Sequence, residues 1–350
     1  MNSVMNARRT ALEIKYLAKD SASREEDISK GIGLFILSFS YTDSASGQAD
    51  DLQLTLEDSR GQWQASRKPR KGDTLKAALL TVNGEDDGKE RRLECGAFQV
   101  DEISLSGPPD VLNLKAIAVP VASSLRGQKK DKAWEAVRLS VILEEIAAKG
   151  ELKKYFACAD DPLYSRVEQN QQSDLEFLQM LCEKAGLALK VTYSKIVIFD
   201  EEMYEGKPVL LTIKKRGSTV LNYSFSSNSR DCYSACKVSY YDAKTKATLA
   251  YEFKPPDSPD TGQVLVINEK VDSAAEAEKL AKKLLRHKNK EENKASLTLA
   301  GDVRLVSGKT VMLEGWGRYD GKYIIEQAKH DNGSSGYQVS VELRKILEGY

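Results

Sequence analysis

Gly308-Lys309-Thr310 carries the ending of a phosphate-binding loop, in which backbone amides of a glycine-rich turn cradle phosphate and a lysine reaches its outer oxygens. Val303 stands where that pattern needs its first glycine, and strand-like sequence lies on both sides, so a β-turn is the better reading. Gly315-Trp316-Gly317 with Gly321 does not complete the G-x-G-x-x-G of a dinucleotide site. The chain has two histidines, His287 and His330, too few for a Ser-His-Asp or Cys-His site to be well supplied. Of five cysteines, Cys95, Cys158, Cys182, Cys232 and Cys236, only the last two are close, and their C-x3-C spacing is not a standard zinc pair. They read as reduced, mostly buried thiols. Adjacent carboxylates occur at Asp50-Asp51, Asp86-Asp87, Glu144-Glu145, Asp160-Asp161 and Glu201-Glu202. A glycosidase needs two carboxylates about 5–10 Å apart across a cleft, one with a raised pKa. Neighbouring acids in turns and on helix faces are instead expected to be solvated. The basic run from Lys279 to Lys290 lacks interleaved aromatics and ends in KNKEEN, so it reads as a solvated helix face rather than a nucleic-acid platform. No catalytic residue, cofactor site or metal site is therefore expected.

The surrounding sequence is built to make strands. Leu12, Ile14 and Tyr16 alternate with polar neighbours, as do Leu37, Phe39 and Tyr41, then Leu52, Leu54 and Leu56. Period-two alternation buries one face of a strand. Phe98 and Val100, then Ile103 and Leu105, predict a strand with a bend, and Leu112, Leu114 and Ala116 continue the pattern. Asp58-Ser59-Arg60-Gly61, Asn83-Gly84 and Gly107-Pro108-Pro109-Asp110 supply turns. Many short strands with frequent turns favour an antiparallel barrel or sandwich. Near residue 121 the texture changes. SSLRGQKKDK reads as a linker or exposed loop, and Leu139, Ile142, Leu143 and Ile146 follow at helical spacing, with Ser140 as a cap and Gly150 as a left-handed stop. Ser173-Asp174-Leu175-Glu176 is a capping box that opens a second helix ending at Gly186. LALKVTY and IVIFD around Ser194-Lys195 read as a hairpin. Strands return from about 208, interrupted by the loop KPPDSPDTG and one long helix near 273–292.

At 350 residues, two to three domains are expected. Lys plus Arg and Asp plus Glu number 52 each, so no global field draws nucleic acid or an anionic membrane. The opening MNSVMNARRTALEIKYLAKD lacks the apolar core of a signal peptide, and no stretch approaches the roughly 18 apolar residues of a membrane span. Synthesis and assembly in the cytoplasm are expected.

Three stretches carry a family resemblance. ADDLQLTLEDSRGQW (49–63) precedes GAFQVDEISLSGPPDVLNLKA (96–116). AWEAVRLSVILEEIAAKGEL (133–152) precedes DPLYSRVEQNQQSDLEFLQMLCEKAGLALKV (161–191). The third is GDVRLVSGKTVMLEGWGRYDGKYIIEQAKHDNGSSGYQVSVELRK (301–345). Together they resemble the phage late control D family, the tail or baseplate hub proteins of contractile phages and phage-tail-like bacteriocins. The resemblance implies a mainly β fold with an α+β insertion. Residues 1–120 would form a first antiparallel β-barrel tube domain and 121–205 a small α/β domain. Residues 206–350 would form a second barrel that includes the long helix. It implies a homotrimeric ring joining a sixfold tail tube to a threefold spike at the tail tip. The partners would be tail tube, spike, tape-measure and baseplate wedge proteins, with no sequence-specific nucleic acid and no membrane insertion. Because the sequence ends at Tyr350 without a β-helix, the spike is expected to be a separate chain. The motif positions carried over, all structural, are Trp134, Gln172, Ser173, Asp174, Phe177, Leu178, Gly301, Gly308, Gly315, Gly321, Tyr323 and His330. Two alternatives stay open. One is a peptidoglycan-degrading tail hydrolase using the acidic loop at Asp160-Asp161, and the other is a spike adaptor of a type VI-like secretion system.

Overall fold

Alternating apolar residues fold the first part of the chain into antiparallel strands. These are β1 (Arg9–Leu17), β2 (Glu26–Asp27), β3 (Ile36–Ser44), β4 (Asp51–Glu57), β5 (Thr74–Val82), β6 (Glu90–Ser106) and β7 (Val111–Ile117), with a one-turn helix α1 (Ser29–Ile32) before β3. The computed structural model describes residues 7–19, 26–65, 68–84, 88–118, 124–217, 219–242, 247–259, 262–269, 271 and 273–350; Asp86-Asp87 lie outside these. Leu52, Leu54 and Leu56 of β4 face Phe39, Leu79, Phe98 and Leu112 in one core. The expected bend in β6 is real: its register slips against β7 between Val100 and Glu102, and against β5 opposite Ala77 and Ala78. Such bulges re-aim a long strand without ending it.

The middle of the chain has its own core. Its elements are α2 (Ser124–Gly127), β8 (Lys130–Arg138), α3 (Leu139–Lys149), β9 (Lys153–Ala157), β10 (Leu163–Gln172), α4 (Asp174–Lys184), β11 (Ala188–Thr192), β12 (Lys195–Phe199) and α5 (Glu202–Glu205). β11 and β12 form the predicted hairpin, and β9 adds in parallel to β12. Three local expectations are corrected. The polar stretch after residue 121 is not simply an exposed loop, because Leu125 of α2 is fully buried and the lysines lead into β8, which pairs with β10. Ser140 lies inside α3 and does not cap it; Asp161 accepts from its amide at 3.0 Å and its hydroxyl at 2.6 Å, so a carboxylate from a distant loop satisfies the helix start. Gly150 has φ −89°, and Glu151 takes the left-handed conformation instead, at φ 54°.

Ala136, exposed in the middle of β8, also has a left-handed backbone, at φ 48°. Because a Cβ disfavours that region and Gly does not, Ala136→Gly is expected to stabilise the protein by about 0.5–1 kcal/mol in urea unfolding. A loss of stability would show that β8 does not hold this conformation in solution.

The remaining elements are β13 (Leu211–Lys214), β14 (Val220–Ser227), β15 (Ala235–Asp242), β16 (Ala247–Phe253), β17 (Val264–Ile267), α6 (Ala274–Asn289), β18 (Asn293–Ala300), β19 (Thr310–Glu314), β20 (Gly321–Gly333) and β21 (Gly336–Lys345). β16-β15-β17 form a separate sheet, and α6 lays Ala277, Ala281 and Leu285 against Cys236 and Val238 of β15. All five cysteines are free, and all but Cys158 are buried. The other strands of this part join those of the first. β20 pairs antiparallel with β3, with Ala328 opposite Asp43 and His330 opposite Tyr41. The result is one sheet in the order β14-β18-β21-β20-β3-β4-β7-β6-β5-β1-β2, with β19 also on β20 and β13 on β19. Among the described residues no ring of pairings closes it, so the fold is mainly β and antiparallel, as expected, without a closed barrel. No helix among the described residues is long and apolar enough to cross a membrane.

Candidate interface and its charged junctions

Two buried charge clusters hold the parts of the chain together. The first centres on Lys190 of β11. Its Nζ lies 2.6 Å from Asp43 and 3.3 Å from Asp50, and donates to the Ser44 carbonyl at 2.8 Å. Asp43 also accepts from the amide and hydroxyl of Ser307, each at 2.8 Å, and Asp50 from the Ser44 amide at 2.9 Å. Strand β3, the middle module and the loop before β19 therefore meet at one lysine. Burial pushes the Asp50 carboxyl up to about 6 despite Lys190, and Asp43 adds to the rise. The expectation that Asp50 is solvated is corrected: it is 5% exposed.

The second cluster centres on Arg344 of β21, whose side chain is 2% exposed. Its guanidinium reaches Glu205 at 2.5 Å, Glu326 at 2.9 Å and Glu201 at 3.3 Å. Arg286 of α6 pairs with Glu205, and Lys290 with Glu201 at 2.8 Å. Burial alone would raise Glu201, yet Lys290 and Arg344 hold it below the usual carboxylate range. Burial raises Glu326, against the pull of Arg344. The reading of α6 as a solvated basic face is thus corrected at Arg286 and Lys290, which pin the helix to α5 and the large sheet. Lys279 is exposed, as expected. A polar cleft of about 520 Å³ opens beside this cluster, lined by Ser46, Gln179, Lys294, Glu326 and Glu342 among others. Its walls are mixed, with Ala45, Phe199, Tyr204, Ile324 and Ile325 beside the polar residues. Asp161, of the acidic loop, serves α3, and Asp160 sits 3.6 Å from Lys279 at the surface. Among the described residues no cluster of His, Cys, Asp and Glu could hold a metal ion.

The positions picked out from sequence fall into two groups. In the middle core, Trp134 stacks on Phe177 with centroids 4.9 Å apart and donates to Glu145 at 3.0 Å. Gln172 ends β10, and its carbonyl accepts from Gln169 at 2.9 Å. Ser173 and Glu176 form the predicted reciprocal cap on α4, Asp174 is buried against Gln169 and Lys130, and Phe177 and Leu178 are fully buried. Ser173→Ala is expected to cost about 1 kcal/mol by urea unfolding; an unchanged midpoint would mean that the cap is not formed in solution.

The other group lies in the C-terminal strands. Gly308, at φ +74°, turns before β19: the Lys309 amide donates to the Val306 carbonyl at 3.3 Å, the bond of a β-turn, and the Gly308 amide donates to the Ile325 carbonyl at 2.8 Å. Gly315 and Gly321 also have positive φ, and Tyr323 is buried and donates to the Tyr319 carbonyl at 2.9 Å. His330 is fully buried between Tyr41 and Tyr337, at 5.9 and 6.0 Å, with Nδ1 2.7 Å from the Tyr337 hydroxyl. Gly301 packs its Cα against Tyr337, where an added Cβ would come within 2.0 Å of the ring. Gly301→Ala is therefore expected to destabilise by about 2–3 kcal/mol, since the overpacked ring is clamped by His330; a change below about 0.5 kcal/mol would show that Tyr337 moves freely. These two groups do not converge on a common site.

The surface carries apolar residues at strand edges: Leu221 and Tyr223 on β14 are 53% and 42% exposed, and Val264 and Val266 on β17 are 42% and 56% exposed. Open sheet edges with apolar side chains are places where another chain can add. The sequence pattern marks TVLNYSFS (219–226) only as a strand and singles out nothing at 264–267. Their position at sheet ends needs the strand order.

Comparisons with known proteins fit such an interacting scaffold. The probable baseplate hub protein of Escherichia phage P2 is 29% identical over 173 residues, 49% of this chain and 42% of that protein. The probable baseplate hub protein of Escherichia phage 186 is 26% identical over 188 residues, 53% of this chain and 46% of that protein. The matched stretches thus span less than half the length of these relatives. Among solved structures, the tail protein from Neisseria meningitidis MC58 superposes over 96% of this chain and 97% of that one, with TM-score 0.68 and 12% identity. The 43 kDa tail protein of prophage MuSo2 from Shewanella oneidensis covers 96% and 98%, with TM-score 0.68 and 14% identity. A component of the type VI secretion system from E. coli covers 96% and 78%, with TM-score 0.55 and 12% identity. At these identities the structures establish the fold. The relationship to phage baseplate hub and tail proteins implied by the sequence resemblance holds in both comparisons. A family model described as YQBQ-like matches residues 128–344, well over half the chain, and the protein is a member of the YQBQ-like family.

Proposed function

We propose that the protein is a non-catalytic baseplate hub of a contractile phage tail or phage-tail-like bacteriocin. The observation that carries this is end-to-end superposition on two tail proteins, together with hub relatives identical at 26–29%. In this reading three copies form a ring at the tail tip. Residues 1–120 and 206–350 act as two tube domains, and residues 121–205 as a small domain beside them. The ring joins a sixfold tail tube to a threefold spike, and the protein is assembled in the bacterial cytoplasm before it enters the particle. Tape-measure and baseplate wedge proteins are further proposed neighbours. Buried charge clusters suit the role, because a ring under load needs its parts fixed in register more than it needs a pocket. The motif positions, Trp134 and Ser173 among them, are proposed to act structurally.

The test is mass measurement of the purified protein, alone and mixed with the spike protein of the same particle. A trimer in at least one mixture is expected; a strict monomer in both sinks the reading. A peptidoglycan zymogram separates the hydrolase alternative, since clearing of the gel would overturn the non-catalytic assignment. Likeness to a type VI secretion component favours one second reading, a spike adaptor. The genes beside this one, tail or secretion, decide between them.

A further inference from the structure

Strand β14 ends the large sheet, pairing with β18 on one side only among the described residues. The amide of Tyr223 is taken by the side chain of Asn222 at 2.8 Å rather than by a strand. Along this edge lies an aromatic cluster. Tyr223 and Phe225 sit 5.7 and 5.6 Å from Trp316, and Phe225 stacks on Tyr319 at 4.7 Å. Leu221 and Tyr223 are exposed, so the cluster continues to the surface. Two exposed cations flank it: Lys215 stands 5.6 Å over the Tyr223 ring and Arg318 4.8 Å over Tyr319. The nearby acids are already engaged, Glu314 with Lys214 at 3.7 Å and Asp320 with the Trp316 amide at 2.7 Å. Beneath the rings, Trp316 is 9% exposed, and its indole Nε1–H is buried with no acceptor among the described residues. A buried donor left without a partner is costly and marks a place where an acceptor is missing.

We infer that the β14 edge takes an extended segment of a partner protein, added as a further strand, with apolar side chains at alternate positions over Leu221, Tyr223 and Phe225 and carboxylates facing Lys215 and Arg318. The sheet edge supplies backbone hydrogen bonds, the rings an apolar platform, and the cations set the sign of the partner's charge. A carbonyl or carboxylate entering among the rings would give Trp316 its acceptor. This does not depend on the hub reading, because it rests only on the edge and its side chains.

The probes are three peptides titrated into the full-length chain and read by fluorescence anisotropy: ETVTVTVE, its counterpart KTVTVTVK, and RTALEIKYL, which is the chain's own β1. The acid-flanked peptide is expected to bind at least about tenfold more tightly than the lysine-flanked one. Reversing both cations, Lys215→Glu with Arg318→Glu, should invert that order. Tyr223→Pro should abolish binding, since it blocks the edge without removing a bond to β18; circular dichroism checks that each variant is folded. Equal binding of the two charged peptides, or binding of neither, overturns the proposal. So does binding of RTALEIKYL alone, which would make the occupant a second copy of this chain. The comparison of the two charged peptides is independent of the mass measurement that tests the hub reading.

Discussion

Arg344→Ala is expected to destabilise the protein by on the order of 3–5 kcal/mol, the largest effect of any single substitution considered. Arg344 answers three carboxylates, and its removal leaves Glu205, with Arg286 alone, and Glu326, with no other bonded cation, in a buried site. The loss is mostly the cost of stranding charge and not the worth of the pairs. Two observations check this. Urea unfolding should show the shift in midpoint at constant slope. Combining Arg344→Met with Glu326→Gln should recover a large part of it, because Glu205 then keeps Arg286, Glu201 keeps Lys290 and no carboxylate is left without a cation. A single-variant loss below about 1 kcal/mol would mean that water reaches the cluster and the junction is not what fixes α6 to the sheet.

The second large effect is in pH dependence. Asp50 and His330 titrate in the same window with opposite signs. Asp50 moves from 3.8 up to about 6, chiefly by burial, so the folded state binds its proton more readily than the unfolded chain does. Its contribution therefore grows as pH falls from about 6 toward 4. His330 moves from 6.5 down to about 4, again chiefly by burial. Here the unfolded chain takes the proton first, so stability is lost as pH falls through that interval. Each shift corresponds to at most about 3 kcal/mol, and the two nearly offset. The intact protein should change little in stability from these groups between pH 6.5 and 4.5. Asp50→Asn removes one side of the balance and should lose about 2 kcal/mol more than the parent over the same interval. His330→Phe should instead gain on acidification. Other carboxylates, including Glu326, titrate alike in all three proteins and cancel in the comparison. Parallel pH profiles for the parent and Asp50→Asn would refute the assignment.

Much of this fold was readable from local pattern. The capping box at Ser173 and the alternation of β1, β4 and β7 reappear as predicted, because the signals lie within a few residues of each other; in β3 the register slips between Ile36 and Ser38 and leaves Leu37, expected on the buried face, exposed. What was missed depends on partners far along the chain. Ser140 looks like a cap until Asp161, 21 residues on, takes its amide and hydroxyl. Arg286 and Lys290 look solvated because Glu205 and Glu201 are 80 or more residues earlier in sequence; the Lys290–Glu201 bond spans 89 residues. Asp50 looks like half of a surface pair until Lys190 arrives from another core. The joining of the first and last strands into one sheet is of the same kind: β20 reaches β3 from far along the chain, and no period within β3 encodes that.

The meeting of β3 and β20 also sets a schedule. Gln327 reaches Ser44 across 283 residues. At about 5–20 residues per second on the ribosome, the flank of β3 waits roughly 15–60 s for its neighbour to be made. During that time Phe39, Leu52 and Leu54 can already bury one another, since β3 and β4 are adjacent, while a row of amides and carbonyls faces solvent. The strand carries Ser38, Ser40, Thr42, Asp43 and Ser44 along that stretch, so polar side chains outnumber apolar ones there. A nascent chain with such a flank can wait in solvent without adhering to its siblings, and the last strands to be synthesised are the ones that release it from that risk.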